Sequence, residues 1–111
     1  MAAPQRATDA EVGAALADLP GWRRVGDELH ASFELPTFAA AVDFTVAIAA
    51  VADELVHHPE WRVAYRRVDL LTTTHDADGL SALDFALARR ILALATQRGA
   101  AALAPRADEP S

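Results

Sequence analysis

Between residues 28 and 56 the apolar residues change period once, and that change limits the fold more than any other feature of the chain. Leu29, Ala31, Phe33 and Leu35 alternate with His30, Ser32 and Glu34, the pattern of a strand with one apolar and one wet face. From Thr37 to about Val56 the apolar residues recur at helical spacing instead. Phe38, Ala41, Val42, Thr45, Ile48, Ala49, Ala52 and Leu55 form one stripe, so an amphipathic helix follows the strand. A strand wet on one face belongs to an antiparallel sheet whose other face is covered.

The same alternation of periods occurs twice. Residues 22–25 and 28–35 predict a hairpin across Gly26-Asp27, where Gly at the first turn position suits a II′ turn. Trp61–Tyr65 and Val68–Thr74 predict a second hairpin turning at Arg66-Arg67, a pair with poor turn chemistry. Two helices flank this pattern. Thr8 and Glu11 form a capping box ahead of Val12, Leu16 and Leu19, and Pro20-Gly21 stops that helix. Ser81 and Asp84 form another, with Leu80 placed to staple onto Phe85, and Leu83, Leu87, Ile91 and Leu94 supply a buried face up to Arg98. The order α-β-β-α-β-β-α predicts an α+β two-layer sandwich, a four-stranded antiparallel sheet with its helices on one face. A single domain over 8–98 follows, with 1–7 and 99–111 as flexible termini.

Composition narrows the function. A chain of 111 residues has room for one modest core, and much of its 52% apolar content is alanine, which buries little area; self-association would add stability. The net charge of −6 opposes a phosphate backbone, and Arg62, Arg66 and Arg67 are too few to reverse it, so no direct nucleic-acid binding is expected. Without cysteine there is neither a disulfide framework nor a thiolate metal site. The apolar run 45–52 is too short to cross a membrane, and 1–11 lacks a signal-peptide core. The expected location is the cytoplasm.

The chemistry concentrates in the histidines. His57 and His58 stand side by side just past the long helix, and His75 ends the last predicted strand. Element termini are where a rigid scaffold presents functional side chains. Pro59 biases His58 toward an extended conformation, and Asp53, four residues before His57, would orient that imidazole if the helix persists so far. Imidazoles titrate near neutrality and can give or accept a proton. Plainer readings stand beside these. A histidine pair also suits a helix C-terminus, His75 fits a turn, Asp84 is accounted for by capping, and His30 lies incidentally on the wet face. Trp61 and Tyr65 fit packing or a pocket wall. Three histidines with Asp53 or Asp84 could make a mononuclear metal centre, but adjacent histidines diverge and no His-x-His or His-x-x-x-His pair is present. Metal is the less favoured reading.

Taken together, D-E-L-V-H-H-P-E-W, then Tyr65, T-T-T-H and G-L-S-A-L-D, with LPGW at 19–22, resemble the pterin-4a-carbinolamine dehydratase family over roughly residues 8–97. Asp53, His57, His58, Pro59, Tyr65, His75 and Asp84 fill the places of that family's pattern, although Asp53 is shorter than the Glu common there. The resemblance implies an α+β sandwich on a four-stranded antiparallel sheet. It also implies a dehydratase turning 4a-hydroxytetrahydropterin into quinonoid dihydropterin and water, in tetrahydropterin recycling, with no metal or organic cofactor. His57 and His75 would be the acid/base pair, His58 and Thr74 would bind the pterin, and Asp53 and Asp84 would support them. The implied partners are the pterin, an aromatic amino-acid hydroxylase of the same pathway, and further copies in a homodimer or homotetramer. Animal members of the family also serve as dimerisation cofactors of a transcription factor, so a non-catalytic binding partner that retains the pocket is the alternative.

Overall fold

In the computed structural model, which describes residues 3–105, the predicted α+β sandwich is present. The elements run α1 (Asp9–Ala17), β1 (Trp22–Val25), β2 (Glu28–Glu34), α2 (Phe38–Leu55), β3 (Glu60–Ala64), β4 (Arg67–Thr72), α3 (Ala82–Gln97) and β5 (Ala101–Ala102). A short 3-10 turn at His75–Ala77 lies between β4 and α3. Both predicted capping boxes are formed, Thr8 with Glu11 and Ser81 with Asp84.

The sheet order is β1-β2-β4-β3, antiparallel throughout. Register places Leu29 opposite Thr72, Ala31 opposite Leu70 and Phe33 opposite Val68, which puts the apolar set of both central strands on one face. That face meets the helices: Phe33 packs edge-on against Phe44 of α2, centroids 5.8 Å apart, and Ile48, Leu87 and Ile91 complete the buried layer.

Four details differ from the sequence reading. The second hairpin turns at Tyr65-Arg66, because Ala64 pairs with Arg67 and Tyr65 takes φ 53°. β4 stops at Thr72, where the chain leaves to form the 3-10 turn. Beyond Arg98 the chain returns to the sheet, Ala101 and Ala102 pairing with Glu34 and Phe33, so the sheet gains a fifth, two-residue strand inside the predicted flexible terminus. In α2 the core face carries Ala41, Phe44, Thr45, Ile48, Val51 and Ala52, while Phe38 and Val42 of the predicted stripe are exposed. An alanine-rich helix is apolar nearly all round, so spacing alone does not single out one face.

α2 ends without the glycine that such an end favours. Val56 takes the left-handed conformation at φ 52°, ψ 43°. Its N–H bonds to the Asp53 carbonyl at 3.2 Å and that of His57 to the Ala52 carbonyl at 3.0 Å, the paired bonds of a Schellman stop. A β-branched residue is strained there by about 1–2 kcal/mol, and its side chain, 78% exposed, returns little burial. Val56→Gly is therefore expected to raise unfolding free energy by roughly 0.5–1 kcal/mol, the relieved strain less the entropy glycine adds to the unfolded chain; urea denaturation checks it, and a loss of stability would refute the strain.

Candidate active site

The left-handed turn at Val56 decides where the two histidines go. The chain leaves the axis of α2, so His57 does not continue the helical face that Asp53 occupies. His57 turns inward and is 9% exposed, while His58 stays in solvent. The expected Asp53–His57 contact is replaced by two others. Asp53 Oδ1 lies 2.9 Å from His58 Nε2, and His57 Nε2 lies 2.8 Å from Asp84 Oδ1.

Strand pairing brings the remaining residues to the same end of the sheet. β3 starts directly after Pro59, and its first residue, Glu60, pairs with Leu71 of β4. The segment carrying His57 and His58 thus runs beside the segment Thr72–His75. A bridge between Thr74 and Gly79 then folds the chain back to Ser81, the N-cap of α3.

Asp84 lies where these segments meet and has no solvent exposure. Its Oδ1 accepts from the Thr72 hydroxyl at 2.7 Å and from His57 Nε2, and its Oδ2 from the Thr74 hydroxyl at 2.6 Å and the Ser81 N–H at 2.9 Å. Four donors fill what a carboxylate can accept. Burial alone would raise the Asp84 pKa, but the hydrogen bonds from His57, Thr74, Thr72 and the Ser81 backbone outweigh it and hold the carboxyl below the ordinary aspartate range. The group is therefore an anion at neutral pH, and since an anion only accepts, Nε2 of His57 carries the proton between them. Nδ1 of the ring takes no part in these bonds.

Thr74, expected from the sequence to bind the pterin, lies inside the Asp84 network. Its hydroxyl is donated to Asp84, and its N–H and carbonyl bond to Gly79. Ser81 Oγ, 2.7 Å from Thr74 Oγ1, closes the network behind it. His75 follows Thr74 immediately, opens the 3-10 turn and is exposed. Tyr65 takes no part in this cluster: it stands 73% exposed at the tip of the β3–β4 hairpin, the end away from the histidines. Thr72 was missed, though its place was readable. Counting by twos from Val68 and Leu70 puts a hydroxyl on the core face, where it needs a partner. Among the described residues no group of three His, Asp or Glu side chains is arranged to hold a metal ion.

A family model described as pterin 4 alpha carbinolamine dehydratase matches residues 5–94. The chain belongs to that family. It is 45% identical over 86 residues to the "Putative pterin-4-alpha-carbinolamine dehydratase" of Roseiflexus sp. (strain RS-1), covering 78% of this chain and 92% of that protein. It is 47% identical over 90 residues to a protein of the same name from Rhizorhabdus wittichii, covering 79% and 93%. The crystal structure of the transcriptional coactivator/pterin dehydratase from Brucella melitensis matches with a TM-score of 0.79 at 39% identity, over 82% of this chain and 99% of that one. The dehydratase family's fold is thus this chain's fold.

The buried anion has a pH signature. A carboxyl whose folded pKa is depressed adds stability that is fully present above its unfolded pKa, about 4, and is lost as pH falls through the lower folded value. Asp84→Asn keeps the shape but turns an N–H2 toward Thr72, Thr74 or the Ser81 amide. It is expected to cost on the order of 3 kcal/mol at pH 7 and to flatten the stability profile below about pH 4. Urea midpoints between about pH 2.5 and 7 check both; an unchanged acid slope would show that the charge is held elsewhere.

Proposed function

We propose that this protein is a hydro-lyase converting 4a-hydroxytetrahydropterin to quinonoid dihydropterin and water, acting in tetrahydropterin recycling. The observation that carries the reading is the buried His57–Asp84 pair at 2.8 Å, with His58 and His75 each one residue from a member of the same network. One imidazolium gives its proton to the 4a-hydroxyl, and the C4a–O bond breaks with its electrons leaving on water. The N5–H electrons form the N5=C4a double bond, and a second, neutral imidazole takes that proton. His57 and His75 are the pair, and the face that bears the hydroxyl decides which of them is the acid. Exchange with water restores the starting protonation. No metal or organic cofactor enters this scheme.

Asp84 holds the His57 ring through Nε2, so the Nδ1 position is presented in one orientation. His58 binds and orients the pterin; its contact to Asp53 is solvent-exposed on both sides and is worth at most about 1 kcal/mol, so a ligand can displace it. Asp53 is a supporting residue. A small-molecule pterin is the substrate, an aromatic amino-acid hydroxylase the upstream partner, and the cytoplasm the place of action. Among the described residues no helix is long and apolar enough to cross a membrane.

Stopped-flow decay of 4a-hydroxytetrahydropterin tests this. His57→Ala and His75→Ala are expected to lower kcat on the order of 100-fold or more while circular dichroism stays native; turnover at the wild-type rate in either variant would remove that histidine from the mechanism.

A second reading, a non-catalytic binding or dimerisation partner, is favoured by one observation. Phe38, Val42 and Val46, four residues apart on α2, leave an apolar stripe in solvent, Val46 being 63% exposed. Such a stripe suits packing against another copy in a homodimer or homotetramer. Val46→Glu is expected to shift the sedimentation profile toward smaller species with dehydratase activity retained. An unchanged profile would take α2 out of the assembly, and a cellular role that survives loss of the histidines would favour the binding reading.

A further inference from the structure

The turn that carries His75 is held from outside by the segment ahead of α1. We propose that Arg6 is a positioning residue for His75; the proposal rests on the dehydratase reading for its catalytic consequence, and on the following contacts for its geometry. The Ala7 N–H bonds to the Leu80 carbonyl at 2.7 Å, fixing this segment to the end of the His75 loop. One residue earlier, the Arg6 guanidinium reaches over the loop to Asp27 Oδ1 at 3.1 Å. Its path crosses Gly79 so closely that a Cβ built there would stand 3.0 Å from Arg6 Nε. Asp27, in the β1–β2 turn, takes the Thr73 hydroxyl on its main-chain carbonyl at 2.6 Å. The loop is thus clasped at Thr73 from one side and at Gly79 and Leu80 from the other.

Between these points Thr74 is held by Asp84 and by its bridge to Gly79, but the residues from His75 to Asp78 have only the main-chain bonds of the turn. The 3-10 turn His75–Ala77 has no side-chain cap and contains no buried residue, and Asp78 takes a left-handed φ of 53°. Ala7 packs against the core, but burial does little for the Arg6 end of the clasp: residues 4–7 line a groove of about 820 Å³ with parts of α1 and the start of α3, and the Arg6–Asp27 pair is half exposed. An exposed pair of this kind contributes little to global stability, so removing it loosens the loop without unfolding the domain. Proton transfer depends on where an imidazole stands within fractions of an ångström, and a loosened His75 lowers the rate of the chemical step more than substrate affinity.

The test uses Arg6→Ala and Thr73→Val in the full chain. Arg66→Ala is the control, breaking a similarly exposed pair with Glu34 at the hairpin end of the sheet. Backbone amide exchange and NMR order of the His75 ring report on the loop, and steady-state kinetics on the reaction. Both loop variants are expected to exchange about two- to fivefold faster across residues 74–79, with a less ordered His75 ring. kcat should fall on the order of three- to tenfold at nearly constant KM, while Arg66→Ala changes none of these. Unchanged exchange and ring order in Arg6→Ala overturn the proposal, as does unchanged kcat in a variant whose loop has loosened. Wild-type protein without turnover would instead defeat the dehydratase reading, and the exchange measurement would still decide whether Arg6 holds the loop.

Discussion

A buried carboxylate with no exposed surface is the constraint around which both the fold and the site are arranged. An isolated charge in that position would cost several kcal/mol, and the chain offsets it by sending four donors to Asp84 from separate segments. Thr72 comes from the last position of β4, Thr74 from the loop beyond, His57 from the exit of α2, and the Ser81 amide from the start of α3. The first turn of a helix is also where a negative charge is favoured. One anion therefore fixes how α2, α3 and the central strand meet. The histidine it orients is held by the same buried network that joins these elements.

Much of the architecture was legible because the chain states it locally. The apolar face of Leu29–Leu35, the change to helical spacing after Thr37 and the two capping boxes are set within a few residues, and the structure has each of them, although Ser32, on the face expected to be wet, is buried. What failed to show was decided over longer range. Asp53 looked like the partner of His57 because four residues separate them, whereas the actual partner lies 27 residues away. The turn that sends His57 inward is made by Val56, and the second hairpin is turned by Tyr65 at φ 53°. Neither carries the glycine or asparagine by which left-handed positions are read. The pairing of Ala101–Ala102 with β2 carries no local mark at all, since two alanines have neither pattern nor turn chemistry.

The tandem histidine follows from the same turn. Consecutive residues leaving a Schellman stop point to different sides, so one imidazole of the pair is taken into the network and the next remains in water. Under the proposed reaction this separates two tasks that one side chain performs poorly together. His57 is held by a buried ion and cannot turn, as a proton donor or acceptor should be; His58 has only an exposed contact to Asp53 and can turn toward a ligand. A single histidine after α2 would have to be either fixed or adaptable.

The enzymatic and binding readings need not compete for the same surface. Val46 is the last of the large exposed apolar residues within α2, and Val56, at the turn that leads to His57, lies ten positions further along. At about 1.5 Å per residue that places them roughly 15 Å apart along the helix. Phe38 and Val42 are further still, at the end of the molecule to which the β3–β4 hairpin tip also points. A partner seated on the first half of α2 therefore leaves the histidine end open. The two ends are joined through α2 and through the paired strands β3 and β4, so under the proposed reaction assembly would influence catalysis by stiffening these elements rather than by covering the histidines.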